Sequence, residues 1–246
     1  MNAADLPDEG GFHVRGAQPT RIDGFVDAAF AFAVTLLVVS VGHVPSSVEE
    51  LLQAMRGVPA FAASFFLIAR FWQSHRRWSR CYGIEDAYSV RLSLTLVFVM
   101  LVYVYPLRMV ATMTLAMLSG GTLAEQQVDV RSVADLRALY ATFAIGYGVF
   151  VVILALLYRH AMTLADAIGL SSGERVRTRN ALARYWALAG VALLSLLLAL
   201  LLPTASSSDL VYWLPGMAYL LIHPVTLLIA RRERTALLAL VATRTP

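Results

Sequence analysis

The chain has 246 residues, of which 59% are apolar and 15% are charged, and its mean hydropathy is +0.67. Soluble domains are typically about 45–50% apolar and about 25% charged, because polar groups have to cover their surface. The composition therefore argues against a soluble enzyme, a nucleic-acid-binding protein and a disordered regulator, even though the net charge is +4. It indicates an integral membrane protein.

The residue types that usually carry chemistry are sparse. All 20 basic residues are arginines that lie between apolar segments, where arginine sets membrane topology. The single cysteine, Cys81, excludes an intramolecular disulfide and a cysteine-based metal site. The five histidines are scattered, and no nucleotide-binding or HExxH motif is present. We therefore expect no catalytic residue, no metal site and no cofactor.

Six segments are long and apolar enough to cross a bilayer as helices, which takes about 20 residues each. In chain order they are approximately Gly24–Gly42, Leu51–Gln73, Leu92–Leu118, Ala138–Tyr158, Tyr185–Leu202 and Leu210–Ala230. Strand-like alternation of polar and apolar residues is absent. The sequence therefore predicts an all-α, polytopic membrane protein with six transmembrane helices.

The arginines predict that the N- and C-termini are both cytoplasmic, because cytoplasmic loops are enriched in basic residues. With this orientation, Arg76, Arg77 and Arg80 lie in a cytoplasmic loop, whereas the opposite loops His43–Glu50 and Pro203–Asp209 contain no arginine. The predicted domains are a disordered cytoplasmic tail (1–20), a six-helix transmembrane domain (21–230) and a basic cytoplasmic tail (231–246).

Four polar or aromatic residues lie at or inside the ends of the first three spans. Asp27 lies within the first apolar segment, Trp72 and His75 share a helix face near the end of the second, and Arg91 precedes the third. A buried charge is costly in a membrane unless it is paired or hydrated. These residues either form one polar cluster near the cytoplasmic boundary or are unrelated interfacial anchors.

A stripe of small or apolar residues with one hydroxyl follows one face of the first span. Its members, at helical spacing, are Ala28, Phe32, Thr35, Val39 and Gly42. Such a stripe is typical of close helix packing. It is also typical of a pore wall, because apolar constrictions gate ion flow by dewetting. The residues alone leave both interpretations open.

The beginning of the first span resembles a known family signature. Arg21-x-x-x-Phe25-Val26-Asp27 is similar to the motif R-x-x-x-F-S-D in the first helix of the transmembrane protein 175 family, which comprises the endolysosomal potassium channel of animals and its bacterial homologues. The similarity covers about residues 21–110 and continues through the residues Ser64-Phe65, Trp72-x-x-His75, Asp86 and Pro106.

The resemblance implies a potassium-preferring cation channel whose pore is lined by first helices. A chain with one six-helix set is implied to form a homotetramer in a lipid bilayer, with K⁺ as the permeant ion. The family's narrowest pore ring corresponds to Phe32 and its threonine ring to Thr35, while Val39 and Ala28 line adjacent layers. A hydrophobic constriction is expected here, since no TVGYG-like carbonyl filter is present.

The motif residues are implied to join the pore helix to its neighbours. Arg21, Phe25 and Asp27 carry this role over from the family, with Trp72 and His75 as partners.

The chain departs from the family pattern at three positions. Val26 replaces the motif serine, Phe32 replaces an isoleucine or leucine, and Arg91 replaces an asparagine. Arg91 is a candidate for direct contact with Asp27.

The alternatives are a secondary transporter or a membrane scaffold, and an intramembrane enzyme that uses Asp27, His75 and Arg91. An enzyme lacks a nucleophile or metal set, and a transporter is expected to have interrupted helices in matching halves. The absence of lysine and the abundance of Ala, Leu, Val and Arg indicate a GC-rich bacterial source, hence a multi-pass protein of the plasma membrane.

Overall fold

The computed structural model describes residues 8–9, 11–39, 45–123, 130–203 and 209–242. Over these residues the chain is almost entirely helical, which confirms the predicted all-α class. The helices are α1 (Arg21–Val39), α2 (Val48–Arg56), α3 (Val58–Tyr82), α4 (Ala87–Leu118), α5 (Val133–Thr163), α6 (Ser172–Leu200), α7 (Leu214–Met217) and α8 (Ile222–Ala242). Two short strands, β1 (Asp8–Glu9) and β2 (Phe12–His13), pair antiparallel before α1.

The candidate membrane spans agree in number with the six predicted. Five helical segments, namely α1, α4, α5, α6 and the stretch Val211–Leu240, are long and apolar enough to cross a membrane. The pair α2–α3, bent by 45°, makes a sixth candidate when it is counted as one span. The bend follows from Gly57, where α2 ends, and from Pro59, whose missing N–H suits the first turn of α3.

The last span differs from its prediction in two ways. Its first part is not a continuous α-helix, because 3₁₀ turns at Asp209–Trp213 and Ala218–Leu221 flank the short α7. The predicted domain boundary at residue 230 also falls inside α8, which continues without a break to Ala242. The predicted C-terminal tail therefore begins as helix, and residues 243–246 lie outside the described residues.

The long helices begin before their apolar segments because polar capping residues start them. At 1.5 Å per residue, helices of 29–32 residues are about 45 Å long, well beyond the apolar thickness of a bilayer. In each case a side chain and a backbone N–H at the first turn bond reciprocally. These capping boxes are Asp86 with Ser89, Ser132 with Asp135 and Ser171 with Glu174.

Aromatic side chains form the centre of the bundle, where α5 packs against α1, α3 and α4. The rings of Phe71 and Phe150 have centroids 3.8 Å apart, and Phe30 of α1 meets Phe150 edge-on at 6.5 Å. On α4, Tyr103 lies directly against Gly146, where an added Cβ would come within 2.2 Å of the ring. The glycine therefore allows α4 and α5 to approach closely.

The segment that precedes α1 is folded, so the prediction of a disordered tail was wrong for residues 8–9 and 11–20. Phe12 and Val14 are buried, and the Phe12 ring packs edge-on against Tyr82 at the end of α3. Gly16 donates its backbone N–H to the carbonyl of Arg80. Sequence reasoning missed this because the segment is polar and glycine-rich. Residues 1–7 and 10 lie outside the described residues.

A buried ion pair fixes this segment. Arg15 donates two hydrogen bonds to the Glu174 carboxylate, from Nη1 to Oε1 at 2.7 Å and from Nη2 to Oε2 at 3.0 Å. Its remaining donors reach backbone carbonyls of Ile168 and Gly169 before α6, and of Cys81 in α3. The side chains of Arg15 and Glu174 are only 11% and 1% exposed. One arginine therefore joins the N-terminal segment to the end of α3, to the loop between α5 and α6, and to the first turn of α6.

Glu174 is held as a carboxylate by this arrangement. It lies in the first turn of α6, about three turns before the apolar part of that helix begins. Burial raises its pKa, but hydrogen bonds from Arg15 and from the backbone of Ser171 and His13 outweigh burial and lower the pKa to about 2. The carboxylate is therefore charged throughout the physiological pH range.

Both ends of the described chain lie at the same end of the bundle, as six crossings require. Phe12 and Glu233 of α8 line one small cavity there together with Arg177. We call this the arginine-rich end; it carries Arg76, Arg77, Arg80, Arg177 and Arg184. The sequence predicts that it faces the cytoplasm.

The Arg15–Glu174 pair predicts a specific pattern of stability. Replacement of one member leaves the other buried and unpaired, so Arg15→Met should destabilise the fold by about 3–5 kcal/mol. The double variant Arg15→Met/Glu174→Met should recover part of this loss. Thermal unfolding of the purified protein measures both effects, with Arg159→Met at an exposed site as the control for charge. Equal unfolding temperatures for Arg15→Met and Arg159→Met would contradict the assignment.

The lowered pKa of Glu174 predicts an acid dependence. Its contribution to stability is complete above the ordinary pKa of 4.5 and is lost as the pH falls toward about 2. The unfolding temperature of the unsubstituted protein should therefore exceed that of Glu174→Gln most at neutral pH, and the two should converge as the pH approaches 2. A difference that is independent of pH would contradict this prediction.

Candidate pore helix

A local polar cap starts α1, the helix that carries the sequence-predicted site. The backbone N–H and the hydroxyl of Thr20 both donate to the Asp23 carboxylate at 3.0 Å, and the Asp23 N–H donates back to the Thr20 hydroxyl. The reciprocal bonds satisfy donors that a helix start leaves open. The apolar residues that follow then continue the helix to Val39.

The two faces of α1 have different surroundings. One face packs against α3, α4 and α5 through four buried residues at steps of four, three and four. These are Val26, Phe30, Ala33 and Leu37. Burial of a side chain of this kind stabilises by about 1.5–3 kcal/mol, so this face fixes the rotation of α1 about its own axis. None of the described residues covers the opposite face.

The predicted stripe lies on the uncovered face. Ala28 and Thr35 are exposed, and the side chains of Phe32 and Val39 are 55% and 65% exposed. Gly42, the last member of the stripe, lies outside the described residues. The stripe is therefore not used for helix packing inside one chain.

The hydroxyl of Thr35 is oriented by its own helix. Its Oγ1 donates to the carbonyl oxygen of Ala31 at 3.1 Å. Because the single hydroxyl proton is used in that bond, the oxygen's remaining lone pairs are available only as acceptors on the uncovered face. An acceptor suits a cation.

Asp27 and Trp72 are brought together across α1 and α3. The indole Nε1 of Trp72 donates to Asp27 Oδ1 at 2.6 Å, and the guanidinium of Arg76 lies 5.3 Å from the centre of the Trp72 ring. A cavity of about 340 Å³ adjoins the pair, and Asp23 and Arg80 also line it. The carboxylate of Asp27 is therefore both hydrogen-bonded and open to water.

The other two members of the predicted polar cluster are placed differently. His75 is buried and its Nε2 lies 2.9 Å from the hydroxyl of Ser93 on α4, so it joins α3 to α4 rather than to α1. Arg91 is exposed, and the structure contains no ion pair between it and Asp27 among the described residues. Within one chain the Asp27 carboxylate therefore meets Trp72, and the expected contact between Arg91 and Asp27 is not made there.

The remaining motif residues have no packing role that is visible in one chain. Arg21 is the first residue of α1 and is exposed, and Phe25 is 53% exposed. Both lie on the uncovered side of α1, as do Asp27 and Thr35. Among the described residues, polar and aromatic side chains are thus concentrated on the side of α1 that the chain leaves exposed, although Asp27 is bound there by Trp72.

Sequence reasoning left open whether Arg108 would reach the surface or a carboxylate. Its side chain is partly buried, and its Nη1 donates to the backbone carbonyl of Leu37 at 2.9 Å. Leu37 lies in the last turn of α1, where carbonyls lack partners within the helix and attract cations. Arg108 therefore holds the far end of α1 to α4. The sequence shows Arg108 as an isolated arginine after Pro106, but it cannot show a hydrogen bond to a backbone carbonyl.

The described residues contain no group of three or more His, Cys, Asp and Glu side chains that could hold a metal ion. Asp86 and His160 do meet, with Oδ2 and Nε2 2.5 Å apart, but at the arginine-rich end of α4 and α5, away from α1.

Comparisons with known proteins agree with this arrangement. Residues 21–106 match the family described as "Endosomal/lysosomal potassium channel TMEM175". A protein of Marivirga tractuosa named "Potassium channel" is 32% identical over 225 residues, which are 89% of this chain and 90% of that protein.

Two solved structures are similar. A variant of the potassium channel MtTMEM175, in complex with a nanobody–MBP fusion protein, matches with a TM-score of 0.78 at 31% identity over 94% of this chain and all of that chain. A TMEM175 homologue from Chamaesiphon minutus shares the fold, with a TM-score of 0.55 at 20% identity over 87% of this chain and 96% of that chain. The resemblance in the first span is thus confirmed, and the chain belongs to the TMEM175 family.

Proposed function

We propose that the protein is a potassium-preferring cation channel, a homotetramer in which α1 of each subunit lines the pore. The single observation that carries this proposal is the uncovered face of α1, with Phe32, Thr35 and Val39 in register along it. The family and the relative from Marivirga tractuosa are potassium channels and not enzymes, which supports the ion and the activity.

A four-fold assembly gives the uncovered face a role. Lipid is a poor environment for the exposed carboxylate of Asp27, because its charge needs water in addition to the one hydrogen bond from Trp72. Four copies of α1 around an axis direct Asp27 and Thr35 toward a shared aqueous path. The buried face, which includes Phe30 and Leu37, keeps each copy in the same rotation.

Phe32 and Thr35 have different functions in the proposed pore. A ring of Phe32 side chains forms a hydrophobic constriction, which controls conduction by expelling water when it narrows. A ring of Thr35 hydroxyl oxygens, one turn further along, replaces part of the water around a cation. Val39 continues the apolar wall beyond that ring, and Ala28 leaves a wider layer before it.

A carbonyl filter is not available along α1. The helix is continuous from Arg21 to Val39, and carbonyls inside a helix already accept hydrogen bonds from residues four positions on. Selectivity for potassium then rests on the cost of dehydration at Phe32 and Thr35. We expect the preference for potassium over sodium to be weak.

The two ends of α1 are held by different bonds, and both support its role as a fixed pore wall. At the arginine-rich end Trp72 binds Asp27, and at the other end Arg108 binds the Leu37 carbonyl. With the covered face between them, they restrict both tilt and rotation of the helix.

We place the channel in a bacterial plasma membrane with the arginine-rich end in the cytoplasm. The basis is the predicted topology and the lysine-free composition. A secondary transporter or scaffold is the alternative, and dependence of potassium flux on a proton or sodium gradient would favour the transporter.

Phe32→Ala tests the constriction. Removal of the rings widens the narrowest layer and weakens dewetting, so potassium flux into liposomes that contain the purified protein should rise several-fold. The matched control is Phe98→Ala, which removes another exposed phenylalanine, from α4. The proposal predicts no change in flux for this control.

Two results would contradict the proposal. One is unchanged conduction when Phe32 and Thr35 are both replaced by arginine, since eight added charges would block a path between them. The other is a purified protein whose mass is that of one or two chains. A mass of four chains, with α1 cross-linking to α1, is the expected result.

Trp72→Phe tests the attachment of α1 at its arginine-rich end. The variant keeps an aromatic ring but removes the N–H that binds Asp27, and a hydrogen bond to a charged group contributes about 1.5–3 kcal/mol. Potassium flux should fall by about tenfold or more while the tetramer is retained. Trp186→Phe, an exposed position on α6, is the control. Equal flux from the two variants would show that the bond does not position α1.

A further inference from the structure

A second polar cavity lies at the arginine-rich end, away from α1. It has a volume of about 340 Å³ and lies between α3 and α6, with Tyr158 of α5 among its lining residues. Volumes of about 300–1,000 Å³ are typical of small-molecule sites. Nothing in the proposed pore uses this cavity.

The lining of the cavity is strongly basic. None of its nine lining residues is acidic, and five are arginines: Arg70, Arg76, Arg77, Arg80 and Arg184. Arginines held this close repel one another, and a bound anion reduces that repulsion.

Carboxylates elsewhere neutralise only part of this charge. Asp23 and Asp27 line the neighbouring cavity, which Arg76 and Arg80 share. Glu233 lies 3.6 Å from Arg177, outside the cavity. Among the described residues, no ion pair is recorded for Arg70, Arg77 or Arg184 inside the cavity.

The cavity lies at the level where lipid headgroups are expected. Its lining includes Gln73, the last residue of the predicted second span, and Tyr185, the first residue of the predicted fifth. The buried rings of Tyr158 and Tyr185 lie 5.2 Å apart. Tyrosines concentrate at the boundary between hydrocarbon and headgroups, so the cavity and its arginines lie at that boundary.

We propose that this cavity binds a polyanionic phosphate group, the chemistry of an anionic phospholipid headgroup with more than one phosphate. Guanidinium groups pair bidentately with phosphate oxygens, and basic pockets between transmembrane helices bind such headgroups. Two phosphates, carrying at least two negative charges, match a cavity with arginines on both of its walls: Arg70 and Arg77 on α3, and Arg184 on α6. The site does not depend on the proposed pore.

Binding to the purified full-length chain tests the proposal directly. The first probe is cardiolipin, which has two phosphates, compared with phosphatidylcholine by native mass spectrometry of the protein in detergent. The second probe is inorganic pyrophosphate, followed by calorimetry. The two probes distinguish a membrane source of the phosphates from a soluble one.

The test variant is Arg70→Gln/Arg184→Gln, which removes one arginine from each side of the cavity. Each arginine near a phosphate contributes enough that the pair should weaken cardiolipin binding by about thirtyfold. The matched control is Arg159→Gln/Arg179→Gln, with the same change in charge at exposed arginines of the same end that do not line the cavity. This control should leave the affinity unchanged.

A second variant covers the case in which the double substitution impairs folding. Gln73→Glu adds one carboxylate to the lining at an exposed position and should also weaken binding of either probe.

Selective binding of cardiolipin that falls in the cavity variants supports a headgroup site, and the same result with pyrophosphate alone supports a soluble ligand. Equal weakening by the control and the test variant overturns the proposal, because diffuse surface charge then explains the binding. Failure of both probes to bind also overturns it.

Discussion

The attachment of α1 along only one face is the constraint on which the rest of the structure depends. Val26, Phe30, Ala33 and Leu37 bury that face against three helices, so the rotation of α1 is set by packing inside one subunit. The opposite face then has to find its environment outside the subunit. A helix that presents a carboxylate and a hydroxyl together with Phe32 fits neither a lipid-facing nor a core helix. The oligomer around an aqueous axis that we propose would resolve this conflict.

Much of the fold could be predicted from hydropathy and charge. The six spans agree with the structure because each is a long apolar segment, and such segments have few other stable solutions in a membrane. The exact shape of two spans could not be predicted so well. Gly57 with Pro59 breaks the second, and the last is interrupted near Pro215, but whether such residues bend, break or merely tolerate a helix depends on neighbouring helices.

The candidate site could be predicted only in part, and the physical reason is the distance between partners in the sequence. Asp27 and Trp72 belong to one motif, and they meet. Arg91 was expected to meet Asp27, but residue identity gives no direction for a side chain on a separate helix. Arg15 and Glu174 are 159 residues apart in the sequence. Arg108 binds a backbone carbonyl, a group that is present in every residue and therefore leaves no signal in the sequence. Local patterns cannot reveal such partners.

The buried Arg15–Glu174 pair also limits how far α1 can move. Only residues 16–20 connect Arg15 to the first residue of α1, and a chain of that length extends at most about 20 Å. Arg15 is in turn fastened to the start of α6 and to the loop before it. This short connection therefore limits the movement of α1. A large displacement of α1 either moves α6 as well or breaks the buried, bidentate ion pair between Arg15 and Glu174.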